Sequence, residues 1–293
     1  MNTIFETLKL IGAASEKTKS IFSHRTRDRE KLTVWKDSVS NVIYIDEFYV
    51  GDEEYETGNY RSVEESVNSI VVDSSYEDAL DVERRLSDYR QYYAGNNICD
   101  VGCGDGLFIL GAQKLASSVS GVELQTSSIS LLKKNGINCQ RSILNYPGTF
   151  DAIFMFHSLE HLQDPLKSLT EIRTKMVKDR SRLIVEVPHA NDFLISVIKC
   201  RRFIELALWS QHLILHTRES LRRLLVAGGF NSVIIEGKQR YGIANHLSWL
   251  GSGQPGGHKS LLSSFETEQL KYAYEGSLQK IDATDTLVAI AEY

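Results

Sequence analysis

The chain has 293 residues, of which 42% are hydrophobic and 24% charged, enough length and apolar content to bury a sizeable core. A formal net charge of −5 supplies no broad basic field for a phosphate backbone, so nucleic acid is not the expected partner. Cys99, Cys103, Cys139 and Cys200 form no CxxC pair and read as reduced thiols, neither a disulfide framework nor a zinc site.

The opening stretch MNTIFETLKLIGAASEKTKS lacks a basic start and a sustained apolar run, and no later stretch has bilayer-spanning apolar length. A cytoplasmic protein with no membrane insertion is the expectation. Residues 1–90 are dense in charge and tyrosine and read as an N-terminal extension. Its acidic run, IDEFYVGDEEYETGNYR, reads as a solvated loop, and YEDALDVERRLSDYRQYY as a helix with Leu80, Val82, Leu86 and Tyr89 near one face.

From residue 91 to 293 the texture is that of the main domain. Ile98 to Val101, Val119 to Glu123, Phe150 to Phe156 and Leu183 to Val187 are apolar runs expected of strands buried on both faces. Helices are expected between them, including Gly106 to Ala116 and Asp164 to Met176. The second has Asp164 as N-cap, Pro165 at its first position and Leu166, Leu169, Ile172 and Met176 as its buried stripe. Arg218 to Ala227 reads as a further helix closed by Gly228 and Gly229, followed by a strand at 232–237. A long, wandering insertion at 239–284 precedes a last strand, Thr286 to Glu292. Such alternation implies an α/β fold with a doubly wound, mostly parallel sheet.

The segment ICDVGCGDG places Gly102, Gly104 and Gly106 directly after a buried strand, where the backbone must turn sharply and approach a ligand closely. The dinucleotide fingerprint is G-x-G-x-x-G; here the spacing is G-x-G-x-G preceded by Asp100. An acid at that point repels a pyrophosphate and favours the cationic end of a zwitterionic amino-acid cofactor. Glu123, at the end of the second strand, is placed to accept both hydroxyls of a ribose.

DVGCGDG, the acid in GVEL, and FDAIFMFHSLEHLQDP together resemble the class I S-adenosylmethionine-dependent methyltransferases over residues 95–235. The resemblance implies a Rossmann-like methyltransferase fold of seven strands, the last antiparallel to the sixth, with S-adenosyl-L-methionine as cofactor. Asp100, Gly102, Cys103, Gly104 and Gly106 would hold its methionine part, and Glu123 with Leu124 its ribose. Phe156 and His157, with Glu160 and His161, would line it near the methyl group. The third-strand region NCQRSILNYP lacks the acid that often binds the adenine amino group, and Ser142, Leu144 or Asn145 stand there instead.

Ligands of a doubly wound sheet sit at the carboxyl ends of its strands, which here lead into residues 157–163, 188–217 and 239–284. His157, His161, His189, His212, His216, His246 and His258 all lie in those segments. Clustered imidazoles suit hydroxyl methylation, in which an acceptor must be oriented and deprotonated. His189 is the first candidate base, with His246 and His157 behind it. His212 and His216 are four apart and could share a helix face, but HLILH lacks the glutamate of a metal-binding H-E-x-x-H, so no metal is expected. The glycine-rich stretch RYGIANHLSWLGSGQPGGHKS reads as a lid, with Tyr241 and Trp249 available to stack on a sugar ring.

This C-terminal part and RDREKLTVWKDSVSNVIYID resemble methyltransferases of bacterial surface polysaccharides and sugars. Some relatives carry zinc-binding cysteines in the N-terminal segment; this chain has none there, and the segment is expected to cap the cofactor or substrate without metal. The function implied is O-methylation of a sugar or small metabolite, possible substrates being a glycan or a small molecule. The alternatives are O-methylation of a quinone or phenolic precursor, a non-catalytic methyltransferase-like subunit, and a nicotinamide dehydrogenase.

Overall fold

The computed structural model describes residues 3–58 and 74–293. The N-terminal segment forms α1 (Ile4–Leu10), β1 (Lys19–Ser23), β2 (Val34–Asp37), β3 (Ile43–Ile45) and α2 (Asp52–Thr57). Helices α3 (Ser74–Asp88) and α4 (Arg90–Tyr93) lead into β4 (Asn97–Val101), α5 (Leu107–Ala112), β5 (Ser118–Val122), α6 (Thr126–Lys134) and β6 (Asn138–Gln140). Then come β7 (Ala152–Phe156), α7 (Pro165–Arg173), β8 (Arg182–Pro188), α8 (Phe193–Ser196), α9 (Arg201–Ala207), β9 (Ile214–Leu215), α10 (Arg218–Ala227) and β10 (Ser232–Lys238). The chain closes with α11 (Ile243–Ser252), α12 (Glu268–Lys280) and β11 (Thr286–Glu292).

Seven strands form one sheet in the order β10-β11-β8-β7-β4-β5-β6, and β11 alone runs antiparallel to its neighbours. This is the doubly wound, mostly parallel sheet expected of the sequence. Side chains of a strand alternate between faces, and here both faces are dry. Ile153 and Met155 of β7 enter one apolar layer with Leu183, Val185 and Val187, while Ala152, Phe154 and Phe156 enter the other with Ile184. At the edge, β10 alternates exposed and buried residues, as a half-covered strand should.

Local chemistry sets the helix ends. The Asp164 side chain accepts the Lys167 N–H, with Pro165 next in the chain, and Thr217 forms a capping box with Ser220 ahead of α10. Gly229 follows α10 at φ 92°.

Four sequence expectations change. The acidic run contains a helix, α2, because Asp52, Glu53 and Glu54 fall in its first turn, where carboxylates favour the positive helix end. The N-terminal segment is also tied to the main domain: β1, β2, β3 and β9 make a second, antiparallel sheet, in which Ile43 and Tyr44 pair with Leu215 and Ile214. Residues 239–284 do not wander, since α11 and α12 take up half of them. Leu80 is exposed on α3, and Tyr89 is buried just beyond the end of that helix, so the two do not share its apolar face. Among the described residues no helix is long and apolar enough to cross a membrane.

Candidate functional site

At the carboxyl edge of the parallel strands, β4, β5, β7 and β8 are followed directly by Gly102, Glu123, His157 and His189. Between β4 and β7 the strand order reverses, which opens a crevice above the sheet. Gly102 sits there with φ 76°, and a Cβ on it would lie 2.4 Å from Ser158 Oγ and 2.8 Å from Ser158 Cβ. Ser158 is itself fixed, donating to the Val101 carbonyl at 2.9 Å. Both the left-handed backbone and the missing side chain are therefore required.

Asp100, in register with Gly121 of β5 and Phe154 of β7, is 3% exposed. Burial, with Glu123 and Glu186 nearby, raises its pKa to about 7 against the opposing pull of Arg85. Its Oδ1 has no hydrogen-bond partner among the described residues. An orphaned carboxylate oxygen beside a side-chain-free turn suits a cationic amino-acid group.

Glu123 faces the same turn. Its carboxylate accepts the N–H groups of Gly104 at 2.8 Å, Leu124 at 2.6 Å and Gln125 at 2.8 Å, which ties the glycine loop to the end of β5. Gly104 and Gly106 share positive φ, and Asp105 accepts from Ser128 at 2.5 Å. Cys103 turns away from the crevice: its Sγ lies where a Gly121 side chain would be, and its thiol pKa is raised by a hydrogen bond with Cys139 and by burial. Ser142 caps the short turn Ile143–Asn145 by accepting from the Leu144 N–H. Beside it, a cleft of about 350 Å³ is lined by Thr126, Lys133, Cys139, Arg141 and Asn145.

The structure separates the three candidate bases by their environments. His157, at the end of β7, holds φ 50°, a strained conformation for a residue with a side chain. Its Nδ1 lies 3.2 Å from Glu160 Oε1 and its Nε2 3.2 Å from Arg240 Nη1, and its side chain is 22% exposed. His189 is buried, with Nδ1–H donating to the Thr284 carbonyl at 2.9 Å and Nε2 3.9 Å from Asp282; burial, the largest influence, lowers its pKa to about 4. His246 is buried against Phe193, with Nδ1 2.7 Å from the Tyr274 hydroxyl, and burial lowers its pKa to about 4 as well.

Phe156 packs its ring against Tyr89 and Phe108, and the Arg85 guanidinium lies 4.4 Å above it. Trp249 cannot stack on a sugar, because it is buried edge-on against Phe203 at 5.3 Å. HLILH is no helix: His212 precedes β9 and His216 follows it, so the two do not share a helix face. His216 is fully buried with Nδ1 3.1 Å from Ser220 Oγ.

Sequence reasoning missed a charged network beside this crevice. Glu186, fully buried in β8, accepts both Arg84 terminal nitrogens at 2.8 and 2.9 Å, Arg85 Nε at 2.9 Å and the Tyr89 hydroxyl at 2.5 Å. Burial opposes its ionisation, but the two guanidinium groups outweigh that and hold its pKa far below the ordinary value. Asp81 of α3 pairs in turn with Arg240, so α3 is bound to the strand ends and to the C-terminal insertion at once. A lone glutamate within LIVEV was the available signal. Across the other part of the edge, α2 reaches Arg141 through Glu56, and Tyr55 meets His161 edge-on.

Comparisons with known proteins agree with this geometry. Among curated proteins, the chain is 29% identical over 84 residues to the ubiquinone biosynthesis O-methyltransferase of Albidiferax ferrireducens, covering 25% of this chain and 33% of that one. It is 32% identical over 79 residues to that of Colwellia psychrerythraea, covering 23% and 32%. The chain thus spans about a third of the length of these relatives, and neither is by name a polysaccharide enzyme. Among solved structures, a chain of the Haloferax volcanii complex containing the Trm112 methyltransferase activator matches with a TM-score of 0.50 and 12% identity over 82% of this chain and 96% of that one, a likeness of fold. A methyltransferase domain model matches residues 79–234, more than half of the chain and all of the crevice described above except its C-terminal wall. The chain therefore belongs to the methyltransferase domain family.

Proposed function

We propose that this chain transfers a methyl group from S-adenosylmethionine to a hydroxyl of a small polar acceptor. The observation that carries the reading is Asp100, a buried carboxylate with an unpartnered oxygen beside a turn that no side chain can enter. Asp100 and the loop Gly102–Gly106 take the methionine part of the donor, and Glu123 takes the ribose. The donor supplies an electrophilic methyl on a sulfonium that is already a good leaving group. What remains for the protein is to orient the acceptor and to receive its proton.

His157 is the residue for that task, ahead of His189. With Nδ1–H donated to Glu160, the proton sits on the inner nitrogen and Nε2 keeps its lone pair, and an acceptor hydroxyl reaches Nε2 in competition with Arg240. His189 lacks that access because its ring is buried among Thr284 and Asp282. The surrounding Asp81, Arg84, Arg85 and Arg240 favour an acceptor with several polar groups, such as a sugar or nucleotide sugar. The second reading, a ring hydroxyl of a quinone precursor, is supported by the names of the curated relatives. The segment containing α2, lying between Arg141 and His161, caps the donor on this reading.

A panel of polyhydroxylated sugars, nucleotide sugars and catechols, assayed by mass spectrometry for a gain of one methyl, separates the two acceptors. With the acceptor found, His157→Ala should lower the methyl-transfer rate by about 100-fold or more at unchanged donor affinity, and His189→Ala by far less. The reverse ranking would transfer the role to His189.

A further inference from the structure

Glu160 does more in this structure than orient His157. It is fully buried, uses Oε1 toward His157, and leaves Oε2 with no partner among the described residues. A buried carboxylate oxygen without a donor is costly unless something cationic completes it. Facing it are the imidazoles of His161 and His212, whose ring centroids are 5.0 Å apart. One ligand-capable atom from each of Glu160, His161 and His212 lies within 4.8 Å of the others.

The surroundings prepare this cluster for a metal. His161 Nδ1 is held at 2.9 Å by the Gln211 carbonyl, which places the proton on Nδ1 and fixes the tautomer and orientation of the ring. Trp209 stands edge-on to both rings, at 5.8 Å from His161 and 5.1 Å from His212, and limits their rotation. Glu160 and His161 follow β7, whereas His212 precedes β9, so an ion here would fasten together two segments at the carboxyl edge of the sheet.

We propose that Glu160, His161 and His212 form a site for a divalent transition metal of the zinc class. Two imidazoles and one carboxylate match such ions, whereas magnesium and calcium favour oxygen-only ligand sets. In tetrahedral geometry, metal–ligand bonds of about 2.0–2.1 Å put the ligand atoms roughly 3.4 Å apart, so the three side chains draw together by up to about 1.4 Å on binding. Three protein ligands leave a position for water or for an oxygen of a bound molecule. Both histidines keep part of their surface exposed, so that position is reachable. The sequence offers His212 and His216 four apart with no metal expected of them; the fold instead places His212 beside the Glu160–His161 dipeptide.

The test uses the full chain, stripped of metal by a chelator and titrated with Co²⁺ as a spectroscopic stand-in for Zn²⁺, without donor or acceptor. Its outcome is thus independent of methyl transfer. The expected result is one Co²⁺ per chain with intense visible bands of low-coordinate nitrogen and oxygen ligation, displaced by one equivalent of Zn²⁺. His212→Ala, His161→Ala and Glu160→Gln should each weaken binding by at least about tenfold, the loss that even an outer-shell partner causes. His24→Ala, at an exposed position on the N-terminal segment, should change nothing. Circular dichroism restricts the comparison to folded variants, and the two histidine variants decide it if Glu160→Gln does not fold. Absence of stoichiometric binding, wild-type affinity in both histidine variants, or an equal loss in His24→Ala would overturn the site.

Discussion

Asp100 shows at the residue scale how a buried carboxylate is set against the stability of the fold. Its carboxyl ionises at about 7 in the folded chain, above the 3.8 of an ordinary aspartate. Stability from this group is therefore intact below pH 3.8 and is lost as pH rises through about 7, because the folded state resists the charge that the unfolded state accepts. Asp100→Asn should raise the unfolding free energy at pH 8 by on the order of a few kcal/mol and leave it nearly unchanged near pH 4. Urea denaturation at both pH values checks the difference. The same variant should bind S-adenosylmethionine more weakly, and a variant that gained affinity would remove Asp100 from the donor site. The place of this residue beside the glycine turn was legible in the sequence because the pattern is local: an acid and three glycines stand within seven residues. The surroundings of the candidate bases were not. His189 follows a strand end in sequence as His157 does, but only the fold shows that Thr284, 95 residues away, accepts its Nδ1 proton in a closed environment. Trp249 misled for the same reason, since a tryptophan among glycines gives no sign that Phe203 covers it.

At the scale of elements, the strand-to-helix turn after β4 and the anchorage of α3 make separate claims. Gly102 and Gly136 have nearly the same φ, 76° and 75°, but a Cβ at Gly102 meets Ser158 and one at Gly136 meets nothing within 4 Å. Alanine at Gly136 should cost about 1 kcal/mol from backbone strain alone. Alanine at Gly102 should cost more, up to about 3 kcal/mol, and should also weaken donor binding. Equal costs with unchanged binding would contradict a close-packed donor turn. For α3, Glu186→Ala takes the carboxylate partner from Arg85 and leaves Arg84 only Asp81 and Asp88, and should destabilise the chain by up to about 3–5 kcal/mol. Hydrogen exchange should then speed up across residues 79–93 before it does in β7; uniform exchange would deny α3 its dependence on Glu186. Periodicity and capping residues marked α7 and α10 well, because caps are short-range. The partnership of Arg84 and Arg85 with Glu186 spans 102 and 101 residues and depends on the strand order, which no local pattern carries.

For the whole molecule, apolar runs alternating with amphipathic helices announced the mostly parallel sheet, since a parallel strand must be dry on both faces wherever it occurs, and the resemblance supplied the number of its strands. The second sheet escaped notice because its strands are short and one of them, β9, comes from the distant segment between β8 and α10. That sheet places the N-terminal segment beside the crevice, and α3 and Arg240, in the loop ahead of α11, bring charge to its other side. The central claim is that this assembled edge holds S-adenosylmethionine through Asp100, the glycine turn and Glu123. Titration calorimetry with S-adenosylhomocysteine, S-adenosylmethionine and NAD tests it most directly. Both adenosyl ligands should bind one per chain, NAD should not, and Glu123→Ala should weaken adenosyl binding by roughly tenfold or more, as expected when a charged hydrogen-bond partner is lost. Tight NAD binding, or undiminished adenosyl binding by Glu123→Ala, would contradict the account.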